Sequence, residues 1–240
     1  LYGHTDSSMI QVPLDEAPAL AAHLTEKVQS ELNSSELVVE LEAYFPYWTV
    51  AKKNRYFGIK SWPPEEAGQM KVAGYEYKAS HAAPVSKEVQ SLIFNLISEG
   101  KDEDEIVEVV RPLAGSLLRG NVKLDMVSSW TRLGKKPEDY NPSHTPNGAK
   151  AALYFNKNMN KGTKFMKGDS VPWVYISGTP EGKPDSNVVA YMDESDLEGY
   201  TLDWATMVNK LILAKITVME EAMGWDSKRA VGKPSPKRYW

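Results

Sequence analysis

Apolar and polar residues change their spacing along the chain, and each change marks an element. Met9, Ile10 and Val12 are strand residues that follow a polar bend over residues 3–6, with Leu1 and Tyr2 before it and Pro13 closing the run. A hairpin is expected there. Over residues 15–32, Ala17, Leu20, Ala21, Leu24 and Val28 recur at helical spacing, and Asn33-Ser34-Ser35 ends the helix. Pro18 is tolerable in its first turn. Leu37, Val39, Leu41, Ala43 and Phe45 then alternate with Val38, Glu40, Glu42 and Tyr44, the pattern of a half-exposed strand. Residues 47–50 and 55–60 read as a second hairpin about residues 51–54. Trp62-Pro63-Pro64 reads as a loop, and residues 70–77 as a further strand.

Near Ser80 the texture changes. His81-Ala82-Ala83-Pro84 reads as a hinge, and helical spacing dominates beyond it. Val89, Leu92, Ile93, Leu96 and Ile97 form one stripe, with Ser86 the expected N-cap and Gly100 the C-cap. Ile106, Val109, Val110, Leu113 and Leu117 form a second, closed by Gly120, and Pro112 inside it should kink or shorten the helix. A short strand is expected at 125–130, a loop at 141–148, a helix at 149–156, a strand at 171–176 and a turn-rich excursion at 179–186. The last helix is expected over 203–223, with Trp204, Met207, Leu211, Val218 and Ala222 inward and Gly224 ending it. No internal repeat is visible. The fold class is α+β: an antiparallel sheet with a helix packed on it, followed by a mostly helical region.

The 240 residues make one large or two small domains, and 42% hydrophobic with 25% charged residues is ordinary globular composition. No stretch approaches the roughly 20 apolar residues of a membrane span, and no signal-peptide pattern is seen. With no Cys, disulfides and thiolate metal sites are excluded. The chain begins with Leu1 rather than Met, so a missing or processed start is expected. The net charge of -4 hides an uneven distribution. Lys150, Lys157, Lys161, Lys164 and Lys167 lie in a stretch without acids, and Lys52, Lys53, Arg55, Lys60, Lys71 and Lys78 outnumber the acids near them. The acids gather instead at 102–108 and 193–198.

Two stretches carry candidate chemistry. Asp6 is one carboxylate between small hydroxyl residues at the first bend, and its oxygens suit a hard cation such as Mg²⁺; an Asp in such a turn also commonly bonds its own backbone. In Ala51-Lys52-Lys53-Asn54-Arg55-Tyr56-Phe57-Gly58 the aromatics would anchor a strand while the cations point off its end, as phosphate contacts do; a solvated basic turn is the plainer reading. His4, His23, His81 and His144 are scattered without metal-ligand spacing, and there is no nucleophile–base pair or glycine-rich phosphate loop.

Three ordered segments carry a resemblance. Tyr2-Gly3-His4-Thr5-Asp6-Ser7 resembles the Y-G-D-T-D-S signature of B-family DNA polymerases of the archaeal replicative type, departing only at His4, where the first aspartate is usual. Lys53-Asn54-Arg55-Tyr56 is similar to the family's K-K-R-Y element, with Asn54 where a second Lys is usual and Lys52 beside it. Gly74-Tyr75-Glu76-Tyr77-Lys78-Ala79-Ser80 is similar to the G-x-E-x-K/R segment at the palm-to-thumb junction. The final helix, ending Ala222-Met223-Gly224-Trp225, looks like an archaeal-type thumb. The family's D-x-x-S-L-Y-P and K-x-x-x-N-S-x-Y-G segments and its exonuclease carboxylates are not found here; in the family these precede the Y-G-D-T-D-S hairpin.

The resemblance implies the C-terminal part, or small subunit, of a DNA-directed DNA polymerase. Residues 1–80 would be the last part of the palm, 81–225 the thumb and 226–240 a basic tail. It implies Asp6 as a metal ligand and catalytic residue beside Thr5, and Lys52, Lys53, Arg55, Tyr56 and Lys78 as DNA-binding residues. A two-Mg²⁺ site would be completed by the missing part. The implied partners are primer–template DNA, a deoxynucleoside triphosphate, a larger polymerase chain with the exonuclease, fingers and remaining palm, and a sliding clamp, with no membrane. The implied location is cytoplasmic, with a nucleoid or viral genome. His4 favours the alternative, a non-catalytic DNA-binding or assembly module derived from a polymerase.

Overall fold

The computed structural model describes residues 2–4, 7–75, 79–159, 162–182, 185–214 and 223 of the chain, with the backbone alone at 2–4, 51 and 52. Strands and helices are mixed, and the pairings resolved in the first hairpin and in the later four-stranded sheet are antiparallel, an α+β fold. Two compact units divide the chain, one of residues 1–48 and 58–71 and one of residues 49–57 and 72–240. Among the described residues, no helix is long and apolar enough to cross a membrane.

The first unit opens with β1 (Tyr2–His4) paired antiparallel to β2 (Ser7–Met9), in the register Tyr2↔Met9, Gly3↔Ser8, His4↔Ser7. This hairpin is tighter than the side chains suggested. Gly3 and His4 are in the ladder, whereas Ile10 and Val12 are past it. Helix α1 (Ala17–Leu32) starts with Pro18 in its first turn and ends where Asn33 turns left-handed at φ 47°. Asn is among the few residues with a side chain that take this conformation readily.

Residues 37–43 are not a strand, although their alternation is real: Val39, Leu41 and Ala43 are half-buried while Glu40 and Glu42 are exposed. The segment is bound to α1 by side chains rather than to a neighbouring strand. The Val39 amide donates to Thr25 Oγ1 at 2.9 Å, and Gln29 Nε2 donates to the Leu37 carbonyl at 2.8 Å. Only Tyr44 makes a strand-like bridge, to Trp62. A 3-10 turn follows at Pro64–Glu66, tied by a Lys60–Glu66 ion pair.

Strands β3 (Tyr47–Lys52), β4 (Arg55–Ile59) and β5 (Met70–Ala73) form a three-stranded sheet in that order. The second unit takes the β3–β4 tip and the chain from Val72 onward. Its helix α2 (Pro84–Ser98) buries Val89, Ile93, Phe94 and Ile97. Ser86 is not the N-cap. It lies inside the helix, buried, and its hydroxyl donates to the Leu211 carbonyl.

Helix α3 (Glu103–Leu118) begins in a capping box. The Glu105 amide donates to Asp102 Oδ1 at 3.0 Å and the Asp102 amide donates back to Glu105 Oε2 at 3.1 Å. It continues through Pro112 without being shortened. Its buried face is Ile106, Val107, Val110, Ala114 and Leu117, while Val109 and Leu113 are exposed.

After a single turn, α4 (Leu124–Val127), comes β6 (Ser129–Arg132), the edge of a sheet ordered β6, β7 (Ser170–Gly178), β8 (Val188–Ala190). The short β9 (Thr201–Leu202) also pairs with β7. Helix α5 (Asn147–Asn158) packs across this sheet with Ala149, Ala151, Ala152 and Phe155 buried. The approach is close at Gly148, where a Cβ would lie 2.2 Å from Thr131 Oγ1.

The expected final helix starts as α6 (Trp204–Met207), capped by Asp203, whose Oδ1 accepts from the Thr206 amide at 2.8 Å. It widens into a π-helical turn over Val208–Leu213, burying Met207, Leu211, Ile212 and Leu213. Val218, Ala222, Gly224 and the basic tail lie outside the described residues.

Candidate nucleic-acid interface

The β3–β4 hairpin turns at Lys53-Asn54, with Asn54 left-handed at φ 61°. A Lys in its place would adopt that backbone less readily than Asn, so the departure at Asn54 suits the turn. Phe57 anchors the hairpin. It is fully buried and stacks on Phe94 of α2, with ring centroids 4.6 Å apart. Lys53 is exposed, and Arg55 and Tyr56 are half-buried. Neither Lys53 nor Arg55 has a carboxylate partner among the described residues. The side chain of Lys52 is not described.

Other cations of this stretch are neutralised. Lys60 pairs with Glu66, and Lys71 pairs with Glu42 at 2.8 Å and holds that carboxyl below its usual range. The basic character expected of residues 52–78 is therefore concentrated, within the described residues, at the hairpin tip.

The G-x-E segment meets this tip. Gly74 has φ +74°, and a Cβ placed on it would lie 2.2 Å from the Asn54 carbonyl oxygen and 2.7 Å from Arg55 Cγ. No side chain fits there, so the glycine is required by both its backbone angle and the closeness of the turn. Tyr75 follows, its ring edge-on to Phe94 at 5.0 Å and to Phe57 at 6.5 Å. Burial pushes its phenol up to about 12, against the pull of the Arg55 guanidinium. Its hydroxyl is buried and has no hydrogen-bond partner among the described residues. Phe94 and Tyr75 were not singled out from the sequence as supports of the basic hairpin; their helical and strand spacing shows burial but not what they are buried against.

Thr5, Asp6, Glu76 and Lys78 lie outside the described residues. Strands β1 and β2 are placed on either side of Thr5 and Asp6. Among the described residues no group of three or more His, Asp or Glu side chains could hold a metal. Magnesium takes near-octahedral oxygen ligands, commonly one or two carboxylates completed by water and phosphate oxygens. Among the described residues, the ligands of a two-metal site are not assembled.

The second lysine-rich stretch is partly offset by acids brought from elsewhere. Lys150 and Lys157 on α5 line a cleft of about 560 Å³ with Tyr140 and Tyr154, but Glu138 and Asp185 line it too. Lys164 and Lys167 are exposed, and Lys161 is outside the described residues.

Residues 1–220 match the family model of DNA polymerase family B. The chain is 26% identical to the DNA polymerase alpha catalytic subunit of Oryza sativa subsp. japonica over 184 residues, 74% of this chain and 12% of that protein. It is 24% identical to DNA polymerase 2 of Aeropyrum pernix over 204 residues, 83% of this chain and 23% of that protein. The DNA polymerase alpha catalytic subunit of Dictyostelium discoideum is 20% identical over 188 residues, again 12% of its length. The chain thus spans between about an eighth and a quarter of these relatives.

Proposed function

The chain belongs to DNA polymerase family B, and on that premise we propose that it is the C-terminal portion of a DNA-directed DNA polymerase. Residues 1–80 are the last part of the palm, residues 81–225 the thumb and residues 226–240 a basic tail. The reaction is attack of a primer 3′-hydroxyl on the α-phosphorus of a deoxynucleoside triphosphate, with a new P–O bond formed and pyrophosphate released.

The observation that carries this reading is the fit of Gly74 against the Lys53-Asn54 turn. It makes the K-K-R-Y-like hairpin and the G-x-E-like segment one rigid support, as a grip on the primer backbone requires. Lys53 and Arg55, with Lys52, Tyr56 and Lys78, hold the backbone phosphates and so keep the primer terminus in place; phosphate contacts position without reading sequence. Asp6, with Thr5 beside it, contributes one carboxylate to the active site. Magnesium, once its ligand set is completed by the missing palm, would neutralise charge on the reacting phosphates.

The first unit supports the need for a partner. Ala17 is the one buried apolar side chain among its described residues, while Leu20, Leu24 and Val28 on α1 stay half-exposed. A unit of this size without a core of its own needs covering. The cover is the remainder of the palm, carried with the exonuclease and fingers on a larger chain or earlier in the same polypeptide. The family resemblance adds a sliding clamp as a further partner and an intracellular location beside DNA.

Primer extension by the purified 240 residues, with and without the remainder of a B-family polymerase supplied in trans, tests the proposal. Extension is expected only in the reconstituted mixture. Extension by the chain alone, surviving controls for contaminating polymerase, would overturn it. A second reading, a DNA-binding or assembly module without catalysis, is favoured by His4 in place of an acidic ligand; reconstituted activity that depends on Asp6 excludes it.

A further inference from the structure

Strand β6 carries an exposed aromatic that the grip described above does not use. Trp130 is 43% exposed. It lines a recess of about 550 Å³ with Ser80, His81, Thr131, Arg132 and Ser170, and no carboxylate is among the lining residues. Resting on the nucleic-acid role proposed above, we propose that this recess is a subsite for one unpaired nucleotide of a DNA strand, with its base stacked on Trp130 and its phosphate held by Arg132.

The local structure sets the two side chains for this. Alternation along β6 puts Trp130 and Arg132 on one face. Thr131 between them is held from the other side: Trp173 Nε1 donates to Thr131 Oγ1 at 3.0 Å, and Gly148 of α5 packs against the same threonine. Strand β7 pairs with one edge of β6 from Ser129 to Arg132. The Trp130 amide donates to the His81 carbonyl at 2.9 Å, which lays the residue following the G-x-E segment beside Trp130. The side chains of Trp130, Arg132 and His81 have no hydrogen bond or ion pair among the described residues.

The chemistry selects the occupant. An indole face beside a guanidinium and an imidazole, with serine hydroxyls and no acid, is complementary to a phosphate bearing a planar base. The volume lies within the roughly 300–1,000 Å³ range of pockets that take small ligands, room for one nucleotide but not for a duplex. Bases inside a duplex already stack on each other, so an exposed indole face is used fully only by an unpaired one. A protein partner would be expected to meet an apolar cluster, and Trp130 stands among polar neighbours.

The test is binding of a fluorescent oligothymidylate of about a dozen nucleotides, and of a blunt duplex, to the full 240-residue chain. Trp130→Ala should weaken oligothymidylate binding about fivefold to a hundredfold, the range for loss of one base–aromatic stack. Trp130→Phe, which keeps a stacking face, should stay within about threefold of wild type. Arg132→Ala should lower the slope of log K against log salt by about 0.7, one phosphate on a single strand. Blunt-duplex binding should be unchanged in all three. Oligothymidylate binding by Trp130→Ala at the wild-type level would overturn the proposal. So would an equal loss on the blunt duplex, or no oligothymidylate binding by the wild-type chain. The grip at Lys53 and Arg55 is read separately, on the duplex, so failure of one leaves the other standing.

Discussion

Gly74→Ala is the most direct perturbation of the contact between the two segments proposed to grip DNA. Two costs are added by one methyl group. Holding a residue with a Cβ at φ +74° costs about 1–2 kcal/mol. The new Cβ would also stand 2.2 Å from the Asn54 carbonyl oxygen, so the turn or β5 must shift by about an ångström; overpacking of this kind costs about 1–3 kcal/mol. A stiffer unfolded chain returns about 0.4–1 kcal/mol. The net is a loss of about 1–5 kcal/mol, or roughly 2–4 °C in Tm for each kcal/mol in a chain of this size. Gly100→Ala is the control. Its φ is +79° but nothing lies within 4 Å of the added atom, so it carries the backbone cost without the collision. If the hairpin yields instead of the fold, the cost moves to DNA. Primer–template affinity should then fall in Gly74→Ala, and should fall less when Lys53→Ala and Arg55→Ala are already present, because the three changes share one element. Thermal unfolding and fluorescence anisotropy on the four combinations separate these outcomes. A Gly74→Ala chain that melts no lower than Gly100→Ala and binds primer–template as wild type would refute the reasoning.

Three further outcomes are expected. Lys53→Ala with Arg55→Ala should weaken primer–template binding on all sequences alike, with the salt slope reduced by roughly 0.9 for each lost phosphate contact; an unchanged slope would place these cations in solvent. In the reconstituted polymerase, Asp6→Asn should cost several orders of magnitude in nucleotide addition while His4→Asp keeps or raises activity, because magnesium prefers oxygen ligands; activity of Asp6→Asn within about tenfold of wild type would remove Asp6 from the active site. Tyr75 ionises near 10.0 when unfolded and near about 12 when folded. The fold keeps the neutral phenol, so its contribution is intact below about pH 10 and lost as pH rises toward 12. Tyr75→Phe should flatten the alkaline loss of stability over that window, measured by denaturant melts at stepped pH, and should cost little at pH 7 because the hydroxyl has no partner among the described residues.

Local periodicity was enough to place α1, α2, α3, α5 and the basic hairpin, because helical stripes and turn residues are written within a few positions of each other. Family membership was equally local, carried by short ordered motifs. Pairing was not. Residues 37–43 have strand alternation and their expected inward face, yet Thr25 and Gln29 of α1 take the hydrogen bonds that a ladder would have taken. The short strands β8 and β9 show no pattern of their own and are extended because β7 lies beside them.

Which face of a helix is buried was decided in the same way. On α3, Val107 and Ala114 are inside while Val109 and Leu113, no less apolar, are exposed, since the face is set by what packs against it. Ser86, a reasonable cap by sequence, became a buried donor to Leu211, 125 residues away. Charge followed the same rule. The lysine count marked a basic region, but only the tertiary structure removed Lys60 and Lys71 from it, by Glu66 and Glu42, and left the hairpin tip. It alone brought Gly74 onto Asn54, because a contact between segments twenty residues apart in sequence depends on how strands pair, which no local pattern encodes.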